Sequence, residues 1–413
     1  MMHRISALVL YFSLLLTACS HSDQDGLLED LLHKNSEMFA EVLDFPDRYG
    51  VQVIYSRIDR DAENQPVLKH FTYRVDPEVY FYPASMVKLP IAILSLERLN
   101  QLNVPGLTKY SLMLTDSAWS GQTSVKPDTS SENWYPSVAR YIREIFLVSD
   151  NNAFNRLYEF LGPDYINGSL HRKGYTGSRI VHRLSLPLTP EENRYTNPVR
   201  FYDDGQLIYH QELARSTRDF SAGERILLGD GYIRNDSLIN EPMDFSAKNF
   251  IPLQELHSML VSVVFPECLD PESRFHITGE DRDFLLACMS MYPRESSDPA
   301  YGEEFSDNYC KFLMYGDRTG MIPENIRIFN KIGLAYGFLI ESAYIVDFEA
   351  KIEFFLSAVI RVNANRIYND GVYEYDSVGF PFMGNLGRMM YAYEKERNRT
   401  NIPDLSEFTI HYK

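Results

Sequence analysis

Two residues at the start of an apolar helix pattern, Ser85 and Lys88, have types and a spacing that could form an activated nucleophile. Serine favours helix starts, and Pro90 is tolerated only in a first turn, so the pattern predicts a helix beginning near Ser85. Residues three apart share a helix face, so the Lys88 amine can reach the serine hydroxyl and, with a pKa lowered by burial, accept its proton. The Ser85 backbone N–H would lie at a positive helix end, where an oxyanion can be held.

A second motif, Ser149-Asp150-Asn151, lies between two apolar helix patterns, 138–148 and 153–161. In such a tight connection the serine hydroxyl and the asparagine amide can point into a cleft while the aspartate caps the next helix. A second copy of the tripeptide, at 306–308, lacks flanking apolar helices. The first copy is therefore the favoured partner of the nucleophile.

A third motif, Lys331-Ile332-Gly333, lies on a β-rich run. There an ammonium can act as a fixed positive charge, while the glycine lets a backbone edge approach a substrate. Its rival, Asp317-Arg318-Thr319-Gly320, has a better placed hydroxyl, but Pro323 follows shortly and breaks any strand. The β-rich context therefore favours Lys331, and not the rival motif, as the source of the positive charge.

The elements that must position these motifs are visible in the hydrophobic pattern. Helical spacing predicts an amphipathic helix over 26–45, and alternation predicts a hairpin from 50–55 and 68–74. Further strands follow at 327–337, 343–346 and 352–360, and a closing helix at 383–393. The polar stretch 105–136 predicts a long loop with two tryptophans, Trp119 and Trp134, which are packing anchors or stacking surfaces for a sugar or ring.

In their order and contexts, the three motifs resemble those of the penicillin-recognising serine acyltransferases, and of class A β-lactamase-like serine hydrolases in particular, over about residues 50–393. The resemblance implies a mixed α/β (α+β) fold of the β-lactamase/transpeptidase type with its site in a crevice between two lobes. An antiparallel sheet lobe with flanking terminal helices would comprise 27–82 and 325–400. A mostly helical lobe, 83–324, would carry an insertion at about 202–324, expected to add helices, and 401–413 would be a tail.

The resemblance also implies a role for each motif residue. Ser85 would be acylated, Lys88 would be its base, and Lys331 would supply positive field. Ser149 would pass a proton to the leaving nitrogen, and Asn151 would hold the substrate amide and Lys88. Gly333 would give the substrate room beside the strand, and the oxyanion hole would be the N–H groups of Ser85 and Leu334.

The implied activity is hydrolysis of an amide, a β-lactam, without a cofactor. The alternatives are a penicillin-binding D-Ala-D-Ala peptidase-like enzyme acting on peptidoglycan peptides, and a non-catalytic glycan- or peptide-binding lipoprotein on the same scaffold.

Two departures from the family pattern bear on the substrate. Ile332 stands where the family has a hydroxyl that grips a substrate carboxylate. Class A enzymes use a loop glutamate to activate the deacylating water, and Thr189 falls at its position. Glu191 or Glu192 could replace that glutamate with a shifted loop; otherwise they are exposed glutamates at a helix start.

The composition of the chain and the spacing of its residues argue against nucleic acid and metal ions as partners. A formal charge of −17, a pI near 5.1 and no Lys/Arg-rich run argue against nucleic acid. No His or Cys spacing indicates a metal site. Beyond Cys19, the cysteines are Cys268, Cys288 and Cys310; one pair could form a disulfide, but spacing does not say which.

The first residues combine one arginine, an apolar run over 5–16 and the ending Leu16-Thr17-Ala18-Cys19. They resemble a bacterial lipoprotein signal, 1–18, with lipid attached at Cys19 and a tether over 19–26. The resemblance implies a periplasm-facing protein, and Ser20 after the cysteine favours the outer membrane. The alternative is an uncleaved N-terminal anchor.

Overall fold

The structure is a computed structural model that describes residues 26–119, 121–126 and 135–412. The signal segment, Cys19 and Trp134, about which the sequence made predictions, lie outside these described residues.

The elements are numbered in chain order. The α-helices are α1 (Leu27–Lys34), α2 (Ser36–Asp44), α3 (Pro46–Tyr49), α4 (Lys88–Leu102), α5 (Val138–Leu147), α6 (Asn151–Leu161), α7 (Pro163–Arg172), α8 (Pro190–Asn193), α9 (Leu253–Val264), α10 (Gly279–Ser290) and α11 (Phe380–Glu396). Short 3-10 turns lie at Ala84–Val87, Pro266–Cys268, Pro271–Ser273, Pro293–Glu295 and Ser406–Phe408, and a π-helical turn, Tyr375–Gly379, precedes α11.

The strands are β1 (Gln52–Arg60), β2 (Pro66–Tyr73), β3 (Leu112–Thr115), β4 (Val199–Asp203), β5 (Gln206–Gln211), β6 (Leu227–Leu228), β7 (Gly231–Arg234), β8 (Ser237–Ile239), β9 (Met243–Asp244), β10 (Ile326–Ala335), β11 (Phe338–Asp347), β12 (Ile352–Arg361) and β13 (Ile367–Tyr368).

The main sheet has five antiparallel strands in the order β10-β11-β12-β1-β2. Both ends of the chain therefore contribute to it. Strand β10 forms one edge, where Lys331 pairs with Ser342 and Gly333 with Ile340. Because successive side chains point to opposite faces, Lys331 and Gly333 share one face and Ile332 takes the other.

Both faces of this sheet are covered. The inner face, which includes Ile340 and Tyr344, packs with α4, α5, α6 and α9 in one apolar core. The outer face, which includes Leu339 and Ile345, packs with α1, α2 and α11 in another. Burial on both faces explains why β11 is apolar almost throughout instead of alternating.

The predicted fold class is confirmed, as is the hairpin, which β1 and β2 form. The expected single helix over 26–45 is instead α1 and α2, which Asn35 separates while its side-chain amide donates to Leu31 O at 2.8 Å. The stretch 105–136 is not wholly a loop, because β3 pairs with β4.

The insertion differs from the expected set of added helices. It contributes α9 and α10 but also the end of β4 and all of β5 to β9, which take part in small sheets. Helix α9 packs against β11, β12 and β1, so the insertion covers the main sheet as well as the helical part. The short strands were not predicted from the sequence, because runs of two to six residues carry little periodic signal.

The structure shows Cys268, Cys288 and Cys310 as free thiols. Within the described ranges, no helix combines the length and the apolar character that crossing a membrane requires.

Candidate active site

Ser85 lies in the 3-10 turn Ala84–Val87, which leads directly into α4. Met86 and Val87 are fully buried and anchor the turn, and Pro90 falls in the first turn of α4, as the sequence predicts. Ala84 has φ 49°, a left-handed conformation that is unfavourable for a residue with a Cβ. Strain of this kind persists only where surrounding packing imposes it, and it concentrates at functional sites.

The Lys88 side chain has no exposed surface and contacts all the polar groups that the sequence placed near it. Its Nζ lies 2.6 Å from Ser85 Oγ, 2.6 Å from Ser149 O and 2.7 Å from Asn151 Oδ1. Burial, and then the charge of Lys331, hold the pKa of Lys88 well below its usual value. A neutral amine has two N–H donors and one lone pair. The carbonyl oxygens of Ser149 and Asn151 can take the two donors, which leaves the lone pair for the hydroxyl of Ser85.

Ser149 lies between α5 and α6 with φ 57°, so the chain turns sharply there. The turn is stabilised by Asp150, whose carboxylate accepts from Ala153 N at 2.8 Å as the predicted helix cap. The Ser149 hydroxyl lies 3.2 Å from Lys88 Nζ and 2.9 Å from Lys331 Nζ. It is therefore a bridge between the two amines.

Lys331 enters the site from the edge strand β10 and is 2% exposed. Its Nζ donates to Ser149 Oγ and, at 3.0 Å, to Ile332 O. Burial lowers the pKa of Lys331 to about 8, and Cys310 and Glu341 partly offset this effect. At neutral pH Lys331 is still largely protonated, so it places a positive charge beside Lys88 and helps to lower the pKa of that lysine.

Two further residues of β10, Gly333 and Leu334, lie close to the nucleophile and its cleft. A Cβ on Gly333 would lie 2.5 Å from Pro83 O and 3.2 Å from Met86 N. Only glycine at this position therefore lets β10 lie this close to the turn that carries Ser85. Leu334 is 37% exposed and borders the cleft.

The cleft above Ser85 has a volume of about 900 Å³. Its lining includes Ser85, Ser149, Ile332 and Leu334. A segment of the insertion, residues 306–320, which we call the wall, contributes most of the other lining residues, and Asp376, Phe380 and Pro381 contribute as well. This wall contains both motifs that sequence analysis ranked second, so they lie at the site without forming its catalytic core.

The second Ser-Asp-Asn copy organises the wall. The Asn308 amide donates to Tyr315 O at 3.2 Å and to Arg318 O at 2.7 Å. The Asp307 carboxylate accepts from Arg294 Nε at 2.8 Å and Ile322 N at 2.9 Å. The polar side chains of this second tripeptide therefore stabilise the conformation of the wall.

The main sheet also holds the wall, through Glu341 on β11. Its buried carboxylate accepts from Phe312 N at 2.9 Å and Leu313 N at 2.6 Å, and it contacts the Asn330 amide. Burial raises the pKa of Glu341 to about 7. Lys311 Nζ donates to Met289 O at 2.7 Å, which ties the same segment to α10.

The two glutamates considered for water activation point elsewhere. Glu191 pairs with Arg215 at 2.8 Å, and Glu192 forms a capping box with Thr189 at the start of α8. These partners hold the pKa of each carboxyl below its usual value. Neither residue lines the cleft that contains Ser85. The hypothesis that the loop shifts to bring one of them to the nucleophile finds no support in this geometry, because hydrogen bonds keep both at the helix start.

Ser185 belongs to the site, although sequence analysis did not identify it. Its hydroxyl accepts from Asn151 Nδ2 at 2.8 Å. The loop sequence 182–188 has no motif that would have indicated this contact, since it depends on how the loop packs against α6. Among the described residues, no cluster of His, Cys, Asp and Glu could hold a metal ion.

A profile described as the Beta-lactamase enzyme family matches residues 65–277, which is more than half of the chain. The chain belongs to this family and is a β-lactamase-like serine hydrolase. The match contains Ser85, Lys88 and Ser149, while Lys331 lies beyond it. The resemblance that the three motifs predicted is confirmed.

Solved structures similar to this chain include class A β-lactamases and a protein named PBP-A. The class A β-lactamase of Clostridium kluyveri has 12% sequence identity and a TM-score of 0.47, over 88% of this chain and 98% of that one. A β-lactamase from Streptosporangium roseum has 13% identity and a TM-score of 0.48, over 89% and 99%. PBP-A has 14% identity and a TM-score of 0.47, over 87% and 97%. No curated protein matches the chain.

Proposed function

We propose that the hydrolase acts through an acyl-enzyme on Ser85. The observation that carries the proposal is the 2.6 Å contact between Ser85 Oγ and Lys88 Nζ, in a site that lowers the pKa of the lysine. A lysine that is neutral at physiological pH can act as the base for a serine hydroxyl. This contact also argues against the non-catalytic alternative.

The proposed acylation follows from the positions of these groups. Ser85 Oγ attacks the carbonyl carbon of the amide while its proton moves to Lys88 Nζ. The carbonyl oxygen gains negative charge, which the N–H groups of Ser85 and Leu334 stabilise. When the C–N bond breaks, the leaving nitrogen takes a proton from Ser149 Oγ, and Lys88 returns its own proton to Ser149. The charge of Lys331 favours an anionic substrate.

The substrate is a β-lactam in the leading form of the proposal and a peptidoglycan peptide in the second. The positions of Glu191 and Glu192 support the second, because neither glutamate lines the Ser85 cleft, and an acyl group persists longer when the expected glutamate does not activate the water. Ile332 does not distinguish the two, since the residue offers no hydroxyl to the carboxylate that a penicillin and a D-Ala-D-Ala peptide both carry. In both cases the bond attacked is an amide.

The cellular location belongs to the same proposal. Residues 1–19 support a lipoprotein that is anchored through Cys19 and faces the periplasm, in the outer membrane. Its membrane partner would then be the lipid bilayer that holds the acyl chains. Labelling of whole cells with a fatty acid tests the anchor: the label should appear on the wild-type chain and be lost in Cys19→Ala.

Intact-protein mass spectrometry of the chain from Ser20, mixed with benzylpenicillin and sampled over time, tests the reaction. Ser85→Ala is the control, and its circular dichroism should match the wild type. A Ser85-dependent adduct that disappears indicates a β-lactamase, and one that persists indicates a penicillin-binding peptidase. If neither penicillin nor peptidoglycan fragments form an adduct, the acyl-enzyme proposal is wrong.

A further inference from the structure

Three polar residues spaced four apart on α6 bind three consecutive residues of the loop beside the site. Asn151, Asn155 and Glu159 lie on one face of the helix because four residues make about one turn. Their partners, in reverse chain order, are Ser185, Leu184 and Arg183. We call these paired residues the loop strap.

The two contacts of the strap that involve Glu159 and Asn155 are buried and well formed. Arg183 Nε donates to Glu159 Oε1 at 2.8 Å, and both side chains are 2% exposed. Asn155 holds both backbone groups of Leu184: its Oδ1 accepts from Leu184 N at 2.8 Å and its Nδ2 donates to Leu184 O at 3.0 Å. These buried bonds fix the register of the loop on the helix.

The strap imposes an unfavourable conformation on its third member. Ser185 has φ 54°, in the left-handed region, although glycine or asparagine would be better suited there. In this conformation its hydroxyl lies 2.8 Å from Asn151 Nδ2 at the exposed rim of the site. The position of the hydroxyl is therefore set by the strap and not by local preference.

The Asn151 amide has two different ends. Its Oδ1 accepts from Lys88, so its Nδ2 is the end that faces away from the lysine. An Nδ2 group can donate to the carbonyl of a substrate side chain. In the free enzyme, however, the group that receives this donor is the Ser185 hydroxyl.

We propose that Ser185 is a specificity-determining residue that occupies the Asn151 amide until a substrate carbonyl displaces it. A substrate with an acylamino group exchanges one hydrogen bond for another, whereas a substrate without one leaves the Ser185 contact in place. The hydroxyl thus reduces the advantage of acylamino substrates over those that lack the group. This inference rests on the proposed acylation of Ser85.

Two penicillins that differ at this group provide the test. Benzylpenicillin has the acylamino carbonyl, and 6-aminopenicillanic acid has a free amine in its place. The efficiency of Ser85 acylation by each is measured in the wild type and in Ser185→Ala, Ser185→Gly and Ser185→Asn. Asn retains an acceptor and tolerates a positive φ, Gly relieves the backbone strain, and Ala removes only the hydroxyl. Ser237→Ala, at the exposed start of β8, is the matched control.

The ratio of acylation efficiencies, benzylpenicillin over 6-aminopenicillanic acid, should rise about 2- to 10-fold in Ser185→Ala and in Ser185→Gly, the range expected for one hydrogen bond. The ratio should stay near the wild-type value in Ser185→Asn and Ser237→Ala. Equal changes for both penicillins, or a change confined to the Gly variant, would overturn the proposal, because they would indicate a role of the backbone alone.

A measurement without chemistry separates this inference from the proposed function. Exchange of the Asn151 side-chain amide hydrogens, followed by NMR, should be faster in Ser185→Ala than in the wild type. If neither penicillin acylates wild-type Ser85, the proposed function fails for penicillins, and the exchange rates still decide about Ser185. Unchanged exchange would contradict the contact itself.

Discussion

Gly333 lies so close to Pro83 that a Cβ on the glycine would be 2.5 Å from the proline carbonyl oxygen. Pro83 immediately precedes the turn that carries Ser85, and Gly333 lies two residues after Lys331 on β10. The contact therefore determines how closely the strand and the nucleophile turn approach each other. The spacing between Ser85 and the N–H of Leu334 depends on it.

Gly333→Ala should disable acylation while leaving the fold intact. The added methyl meets backbone atoms of Pro83 and Met86, which cannot rotate away as a side chain could, so the strand must move outward. A displacement of about 1 Å at a catalytic site costs on the order of 100-fold in rate. The acylation rate with benzylpenicillin checks this. Gly279→Ala is the control, since its Cβ would meet no atom within 4 Å, and an active Gly333→Ala enzyme would contradict the prediction.

The pH dependence of acylation should have two limbs. Lys88 must be neutral to accept a proton, so the rate rises with pH through its lowered pKa. Lys331 must be protonated to supply charge, so the rate falls as pH rises through about 8. Stopped-flow acylation rates between pH 5 and 10 measure both limbs. A rate that keeps rising above about pH 9 would show that the charge of Lys331 is not needed.

Lys331→Ala should change both limbs in a defined direction. The alkaline limb near pH 8 should disappear together with its titrating group. The acidic limb should move to higher pH, because the positive charge that lowers the pKa of Lys88 is gone. The rate at pH 7 should fall roughly 100-fold. Lys395→Ala, an exposed position on α11, is the control, and an acidic limb that stays in place would refute the coupling.

Neither Glu191→Gln nor Glu192→Gln should slow deacylation. Both carboxylates are engaged at the start of α8, Glu191 with Arg215 and Glu192 with Thr189. The decay of the Ser85 adduct, followed by mass spectrometry, should stay within about twofold of the wild type, as expected when the altered group does not touch the reacting atoms. A tenfold longer adduct lifetime in either variant would mean that the loop rearranges during turnover.

The parts of the site that depend on local geometry could be predicted from the sequence. The spacing of Ser85 and Lys88 within one helical turn, and the cap that Asp150 places on α6, follow from helix geometry alone. The pairing of β1 with β2 follows from alternation around a short connection.

The rest of the site depends on contacts between distant residues. Ser185 has no local signal because its place is set by the packing of Arg183 and Leu184 on α6. Likewise, Asn308 belongs to a tripeptide that matches the motif by type, but its amide is consumed by Tyr315 O and Arg318 O. Residue types alone do not reveal which of two copies has its side chains free.

Ile332→Thr should improve the recognition of penicillins. Ile332 borders the cleft and is 6% exposed, so a hydroxyl there could donate to a substrate carboxylate. A hydrogen bond to a charged group corresponds to about a 10- to 100-fold gain in acylation efficiency with benzylpenicillin. The gain should vanish with the methyl ester of the carboxylate, which has no charge. Ile332→Val is the control, because valine has nearly the shape of threonine but no hydroxyl. Both variants should lose about 1 kcal/mol of stability in urea unfolding, but the Val variant should show no gain in acylation. Equal gains in the Thr and Val variants would mean that space, and not the hydroxyl, limits penicillin binding at this position.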